Sequence, residues 1–358
     1  MSSPILVFAN PNSGGGLASD LMDELKNDNS IHFVKLPDEV DTFQDTYHDL
    51  LQDPTLRCLV AGGDGSVNWV VELLCKIFHS EELVSHRPPI AVLPLGTGND
   101  MSRALEWGKG TKKSQIDHIQ DFLKKVRDSN HIENVDIWTI KFERTDKIEV
   151  FTKNMLNYFS IGVDAEICKN FEDFRKGCCG CCICCQCMSL TCYVPVALRS
   201  LCCKRPIKDY LTVDIEENSS NGFGEFEDVY TDESSVLNQT LGGDSNKIVR
   251  RLNAKSSEKT LVFQAITSIY AGRDLWSDKE SRSMSDGKFE VVTEGGVFRL
   301  GFAQIGCNTA KPFCQGCRAT IKASEPLYYQ IDGEGYYING PSNITVEKKD
   351  AYPLIFGK

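Results

Sequence analysis

The sequence lacks an excess of positive charge: 39 lysines and arginines face 50 aspartates and glutamates, a formal net charge of -11. A nucleic-acid surface needs clustered cations to displace condensed counterions, so this acidic average argues against DNA or RNA as the partner. Membranes remain open, because they respond to local basic patches rather than to the mean. The N-terminus, MSSPILVFANP, lacks a basic region, a long apolar core and a small-residue cleavage site. No secretory signal is expected, and the chain is expected in the cytosol. Thiols stay reduced there, so the 16 cysteines are not expected to form a disulfide framework. The glycosylation-like triplets at Asn218, Asn238 and Asn343 then read as chance matches. No repeat of fixed period is present.

What the sequence does contain is enough apolar residue, 41% of 358, to bury a sizeable core. That length exceeds what one core usually organises, so two domains are expected. Residues 4–9 form a short apolar run ending in Asn-Pro and glycines, followed by helical spacing over 17–27 and a second strand-like run over 31–36. The same grammar recurs at Cys58–Ala61 before a helix over about 67–79, and at Ile90–Leu93 before a helix carrying Met101, Ala104 and Leu105. Alternating strands and helices predict an α/β domain with a parallel sheet over residues 1–135, with ligands beyond the carboxyl ends of its strands. From 136 to 358 the texture becomes strand-like, at 138–142, 211–215, 261–265, 289–292 and 297–300, which predicts a mainly β, sandwich-like second domain. Within it, 216–247 is acidic and rich in Gly, Ser and Asn and reads as a solvated insertion.

Three glycine-bearing loops follow three of the predicted strands: Asn10 to Gly16, Gly62 to Asn68 and Pro94 to Asp100. Glycine lets backbone N–H groups approach a ligand closely, and a following helix N-terminus adds partial positive charge, a combination suited to phosphates. Asp64 inside the second loop would repel phosphate unless a metal bridged them, which points to magnesium-nucleotide chemistry. The alternative is that Asp64 caps a helix.

The segments NPNSGG, GGDGSVNWV and PLGTGNDMSRALEWG within residues 4–108 resemble the catalytic domain of the diacylglycerol kinases. NYFSIGVDAEI, IYAGRDLW, SDGKFEVV and QIDGEGYY are similar to the accessory domain of that family. The resemblance implies a lipid kinase that transfers the γ-phosphate of ATP to diacylglycerol, with Mg2+ as cofactor. Kinases of ceramide or sphingosine, and a non-catalytic lipid-binding scaffold, are the alternatives. It further implies that Asn10, Pro11, Asn12, Ser13, Gly14, Gly62, Gly63, Asp64, Gly65, Ser66 and Thr97 surround the nucleotide, with Asn68 and Asn99 as supporting polar groups. Asp332 is the candidate base for the lipid hydroxyl and Glu334 faces the nucleotide or metal, although Asp64 is open to the base role as well. Asp286, with carbonyls of Ser283 and Lys288, is implied as a second magnesium site, or is an Asp-Gly turn. Asp164 aligns with an acid near the acceptor lipid, or caps a turn.

Ten of the cysteines fall between Cys178 and Cys203, a block that departs from the family pattern. Residues 177–198 carry no charge, but their polar residues and Pro195, and the side on which Asp332 would then emerge, argue against a bilayer crossing. S-palmitoylation beside flanking cations, metal binding by Cys-x-x-Cys pairs, and a merely Cys-rich segment remain open for 177–203. The first of these would make the protein a peripheral one on the cytosolic face of membranes.

Overall fold

The computed structural model describes residues 3–11, 13–177, 205–218, 247–276, 282–295 and 310–357. The cysteine block, Asn12, nearly all of the 216–247 insertion and the 297–300 run lie outside them. In chain order the strands are β1 (Ile5–Ala9), β2 (Ile31–Lys35), β3 (Arg57–Gly62), β4 (Ile90–Pro94), β5 (Ile132–Arg144), β6 (Val150–Met155), β7 (Tyr158–Gly162) and β8 (Leu211–Asn218). They continue with β9 (Lys247–Arg251), β10 (Thr260–Gln264), β11 (Phe289–Glu294), β12 (Lys311–Gly316), β13 (Arg318–Ala323), β14 (Leu327–Ile331), β15 (Glu334–Ile338) and β16 (Ser342–Ile355).

The first four strands are parallel, in the order β2-β1-β3-β4. Their side chains alternate between two apolar layers. Leu6, Phe8, Val60 and Val92 pack on Val67, Val70 and Leu74 of the Asp64–Ile77 helix. Ile5, Val7, Leu59 and Leu93 pack on Leu21 and Leu25 of the Leu17–Leu25 helix and on Leu123 and Val126 of the Ile119–Asp128 helix. Helices therefore cover both faces, as a parallel sheet requires, and each fully buried side chain of this kind contributes roughly 1.5–3 kcal/mol.

The second half is a two-layer β structure. A sheet ordered β12-β11-β10-β7-β14-β15 packs its Phe159, Ile161, Phe263, Phe289 and Val291 against Trp138, Ile140 and Phe142 of β5 and Ile344 and Val346 of β16. The mainly β, sandwich-like expectation holds. One feature was not legible in the strand runs: β16 pairs antiparallel with β5 and β13, then reaches β4 in parallel at Leu354 and Ile90. A single strand thus belongs to the sandwich at one end and to the parallel sheet at the other. Among the described residues no helix is long and apolar enough to cross a membrane.

Candidate active site

The three glycine loops emerge side by side, because β1, β3 and β4 are adjacent and parallel. Between β1 and β3 the strand order reverses, which is where such sheets open a crevice. Gly14, Gly15 and Gly16 follow one another at φ +63°, +66° and +100°, a run that side-chain-bearing residues rarely adopt. Beyond Gly15 and Gly16 lies open space. The second and third loops touch backbone to backbone: a β-carbon on Gly96 would come within 2.5 Å of the Gly63 Cα. Thr97 is exposed at the tip of the third loop. Asn99 commits its carboxamide to that loop, accepting from Gly96 N–H (2.9 Å) and donating to the carbonyls of Gly96 (2.7 Å) and Lys109 (3.0 Å). It braces the third loop from within.

Asp64 opens its helix without capping it. Instead its carboxylate accepts from the N–H groups of Asp100 (3.1 Å) and Met101 (2.8 Å), at the start of the Asp100–Ala104 helix. It caps a helix other than its own. Asp64 and Asp100 converge: a β-carbon on Gly98 would stand 3.1 Å from one Asp64 oxygen and 3.5 Å from one Asp100 oxygen. Burial, and then the Asp64 charge, push the Asp100 carboxyl up. Two like charges brought together beside phosphate-type loops fit a divalent cation, which would relieve their repulsion. Asp100 also accepts from Ser268 Oγ (2.6 Å) and from the N–H groups of Gly272 (3.0 Å) and Ala271 (3.2 Å), drawing a loop of the second half onto the first. Sequence reasoning passes over Asp100 as a site residue, although it closes the third glycine loop.

The second half contributes the hairpin between β14 and β15. Asp332 (φ +51°) and Gly333 (φ +87°) are its two central residues, the positive-φ pair of a type I′ turn that Asp-Gly favours. The Asp332 carboxylate is buried and accepts four hydrogen bonds: from the N–H groups of Leu156 (3.0 Å), Asn157 (2.8 Å) and Tyr158 (3.0 Å), and from Asn68 Nδ2 (3.0 Å). Burial outweighs these donors and pushes its pKa up to about 7, with the Asp64 charge acting in the same direction. Glu334 Oε2 accepts from the Tyr336 hydroxyl (2.6 Å), while its Oε1 stands 3.4 Å from where a β-carbon on Gly65 would lie. The fold thus brings Asp64, Gly65, Asn68, Asp332 and Glu334 together.

Asp164 lies beneath a different loop. Its Oδ2 accepts from Ser160 Oγ (2.5 Å), Gln330 Nε2 (2.5 Å) and the Tyr270 hydroxyl (2.7 Å), and burial pushes the carboxyl up. Ser283, Asp286 and Lys288 form a self-closed turn in which Asp286 Oδ1 accepts from Lys288 N–H (3.0 Å) and Ser283 Oγ accepts from Ser285 N–H (3.2 Å). A residue not anticipated, buried Asp136, accepts from Gly287 N–H (2.6 Å) and pairs with Lys348 Nζ (2.5 Å). Among the described residues no group of three or more His, Cys, Asp and Glu side chains forms.

A doubly wound sheet with glycine loops at its carboxyl ends, faced by a β sandwich that lends it a buried acid, defines a two-part α/β-plus-β architecture whose loops have the backbone form suited to phosphates. The chain belongs to the diacylglycerol kinase family: sequence models of its catalytic domain and its accessory domain match residues 4–132 and 154–335. It is 29% identical to diacylglycerol kinase theta of Mus musculus, across 96% of this chain and 34% of that protein. It is 30% identical to diacylglycerol kinase 2 of Arabidopsis thaliana, across 93% of this chain and 43% of that protein. The chain therefore spans less than half the length of these relatives. In fold it is similar to a putative diacylglycerol kinase from Bacillus anthracis str. Sterne, with a TM-score of 0.55 at 15% identity, covering 99% of this chain and 97% of that one.

Proposed function

We propose that the chain is a lipid kinase that transfers the γ-phosphate of ATP to the hydroxyl of diacylglycerol, forming phosphatidic acid. The observation that carries this reading is the approach of the Asp332–Glu334 hairpin to the Asp64 loop in a member of this family. Phosphoryl transfer to an alcohol relies on positioning and on neutralising phosphate charge. The backbone of Asn10 to Gly14, Gly62 to Ser66 and Thr97 would cradle the phosphates. Asp64 and Asp100 would hold magnesium, which supplies charge neutralisation when bound.

Asp332 is the better-suited base. Its pKa, pushed up to about 7, lies where a carboxylate can take a proton at neutral pH. Its four donors fill the lone-pair positions of a carboxylate, so one must yield before a substrate proton can be accepted. Asn68 is the only side chain among them and the one free to rotate away. Asp64, held by two backbone N–H groups, suits the metal-facing role. Asp164 would then shape the acceptor side through Tyr270 rather than bond the lipid itself.

Attachment to the cytosolic face of membranes, through acylation within 178–203 and nearby cations, completes the proposal. An assay with radiolabelled ATP against diacylglycerol, ceramide and sphingosine in mixed micelles tests it. Label in phosphatidic acid is expected; label only in ceramide or sphingosine phosphate, or in no lipid, would overturn it. Replacing Cys178 to Cys187 with serine is expected to release the protein from membranes in fractionation while micellar activity persists.

A further inference from the structure

The Val163–Gly177 helix lies against the β14–β15 hairpin, and β15 is the edge strand of its sheet. An edge strand presents N–H groups with no ladder partner, and each needs another acceptor. At Gly335, Glu172 Oε1 on the helix accepts that N–H at 3.0 Å. A turn earlier on the helix, Cys168 Sγ donates to the Gly333 carbonyl at 2.9 Å. The contact is close: a β-carbon on Gly335 would stand 2.3 Å from the backbone nitrogen of Lys169. On the hairpin itself, Tyr336 donates to Glu334 Oε2, its ring stacks on Tyr329 with centroids 5.2 Å apart, and Lys153 Nζ stands 4.0 Å over it. Their common effect is to fix a turn whose Asp332 occupies a left-handed conformation that a non-glycine residue adopts at a cost.

We propose that Glu172 and Tyr336 are positioning residues for the Asp332-Gly333-Glu334 turn. Glu172 holds the turn through the Gly335 N–H. Tyr336 holds Glu334 Oε2 and so aims Oε1 at the Gly65 loop. Neither need touch the substrate. The inference rests on the reading of this turn as catalytic, and the test separates the two.

The test compares Glu172→Ala, Glu172→Gln, Tyr336→Phe and Asp332→Asn in the full chain, by kcat, by KM for ATP and diacylglycerol, and by thermal midpoint. Loss of a positioning contact is expected to lower kcat about tenfold in Glu172→Ala and Tyr336→Phe, with KM for diacylglycerol and the thermal midpoint held. Glu172→Gln keeps an oxygen for the Gly335 N–H and is expected to restore kcat to within about twofold of the parent. Parental kcat in both Glu172→Ala and Tyr336→Phe, alongside an inactive Asp332→Asn, overturns the positioning role and leaves the turn catalytic. Glu172→Gln as slow as Glu172→Ala overturns it too, since charge rather than the accepted hydrogen bond would then matter. Full activity in Asp332→Asn removes the catalytic reading itself. Should Glu172→Ala fail to fold, Glu172→Gln and Tyr336→Phe still decide.

Discussion

Asn68 donates its side-chain N–H to Asp332 Oδ2 over 3.0 Å, joining residues 264 positions apart in the chain. The donor sits in the first turns of the helix after the second glycine loop, and the acceptor sits in a hairpin of the sandwich. The bond favours the ionised form of Asp332 against burial. Without it the neutral form gains, and a pKa already near 7 rises. Asn68→Ala is therefore expected to move the acid limb of the kcat-pH profile upward, so that activity falls at pH 7 and recovers at higher pH. An acid limb that stays in place would show that Asp332 is not the titrating group.

Asp64→Asn and Asp332→Asn are each expected to lower turnover on diacylglycerol by at least roughly a hundredfold, the scale for losing a positioned acid or base. Steady-state kinetics with circular dichroism as a check on folding measures this. A variant with near-parental turnover takes its residue out of the mechanism.

Gly96→Ala is expected to weaken ATP binding at least about tenfold, because its β-carbon would meet the Gly63 Cα at 2.5 Å and force two phosphate loops apart. Calorimetric titration of ATP reads the affinity directly. Unchanged affinity would place the nucleotide elsewhere.

Lys348→Met is expected to cost roughly 2–3 kcal/mol, since it leaves the Asp136 carboxylate buried without its counter-ion; the partial exposure of Lys348, 40%, keeps the loss below that of a fully buried pair. Denaturant unfolding measures it. A midpoint equal to the parent would mean that water or another cation serves Asp136 as well as Lys348 does.

The parallel sheet was legible because its signals are local: Ile5–Ala9, Arg57–Gly62 and Ile90–Pro94 are short apolar runs, each closed by glycine or proline. The helix after the second loop begins at Asp64, three residues before its first apolar position, since polar residues fill its opening turn without breaking it. The helix over Val163–Gly177 was not read at all; its opening turn is continuous with the β7 strand run and its later residues are mostly charged. In the candidate site, Asp64 announces itself by lying between glycines, whereas Asp332 and Glu334 are implied by the family resemblance of QIDGEGYY. Asp136, and the bond that Asn68 makes to Asp332, depend on what distant segments bring together, and no spacing in the chain encodes that approach.

The strand β16 carries a consequence for the order of assembly. Its residue Leu354 lies beside Ile90, so β4 is an interior strand only once residues 342–355 have been made and have docked. During synthesis, or in an excised fragment ending near residue 132, the β4 flank with Ile90 and Val92 would stand as an open apolar edge, ready to pair with another chain. The parallel-sheet half is thus a unit in sequence but not in folding, and its sheet is closed by a strand drawn from the sandwich.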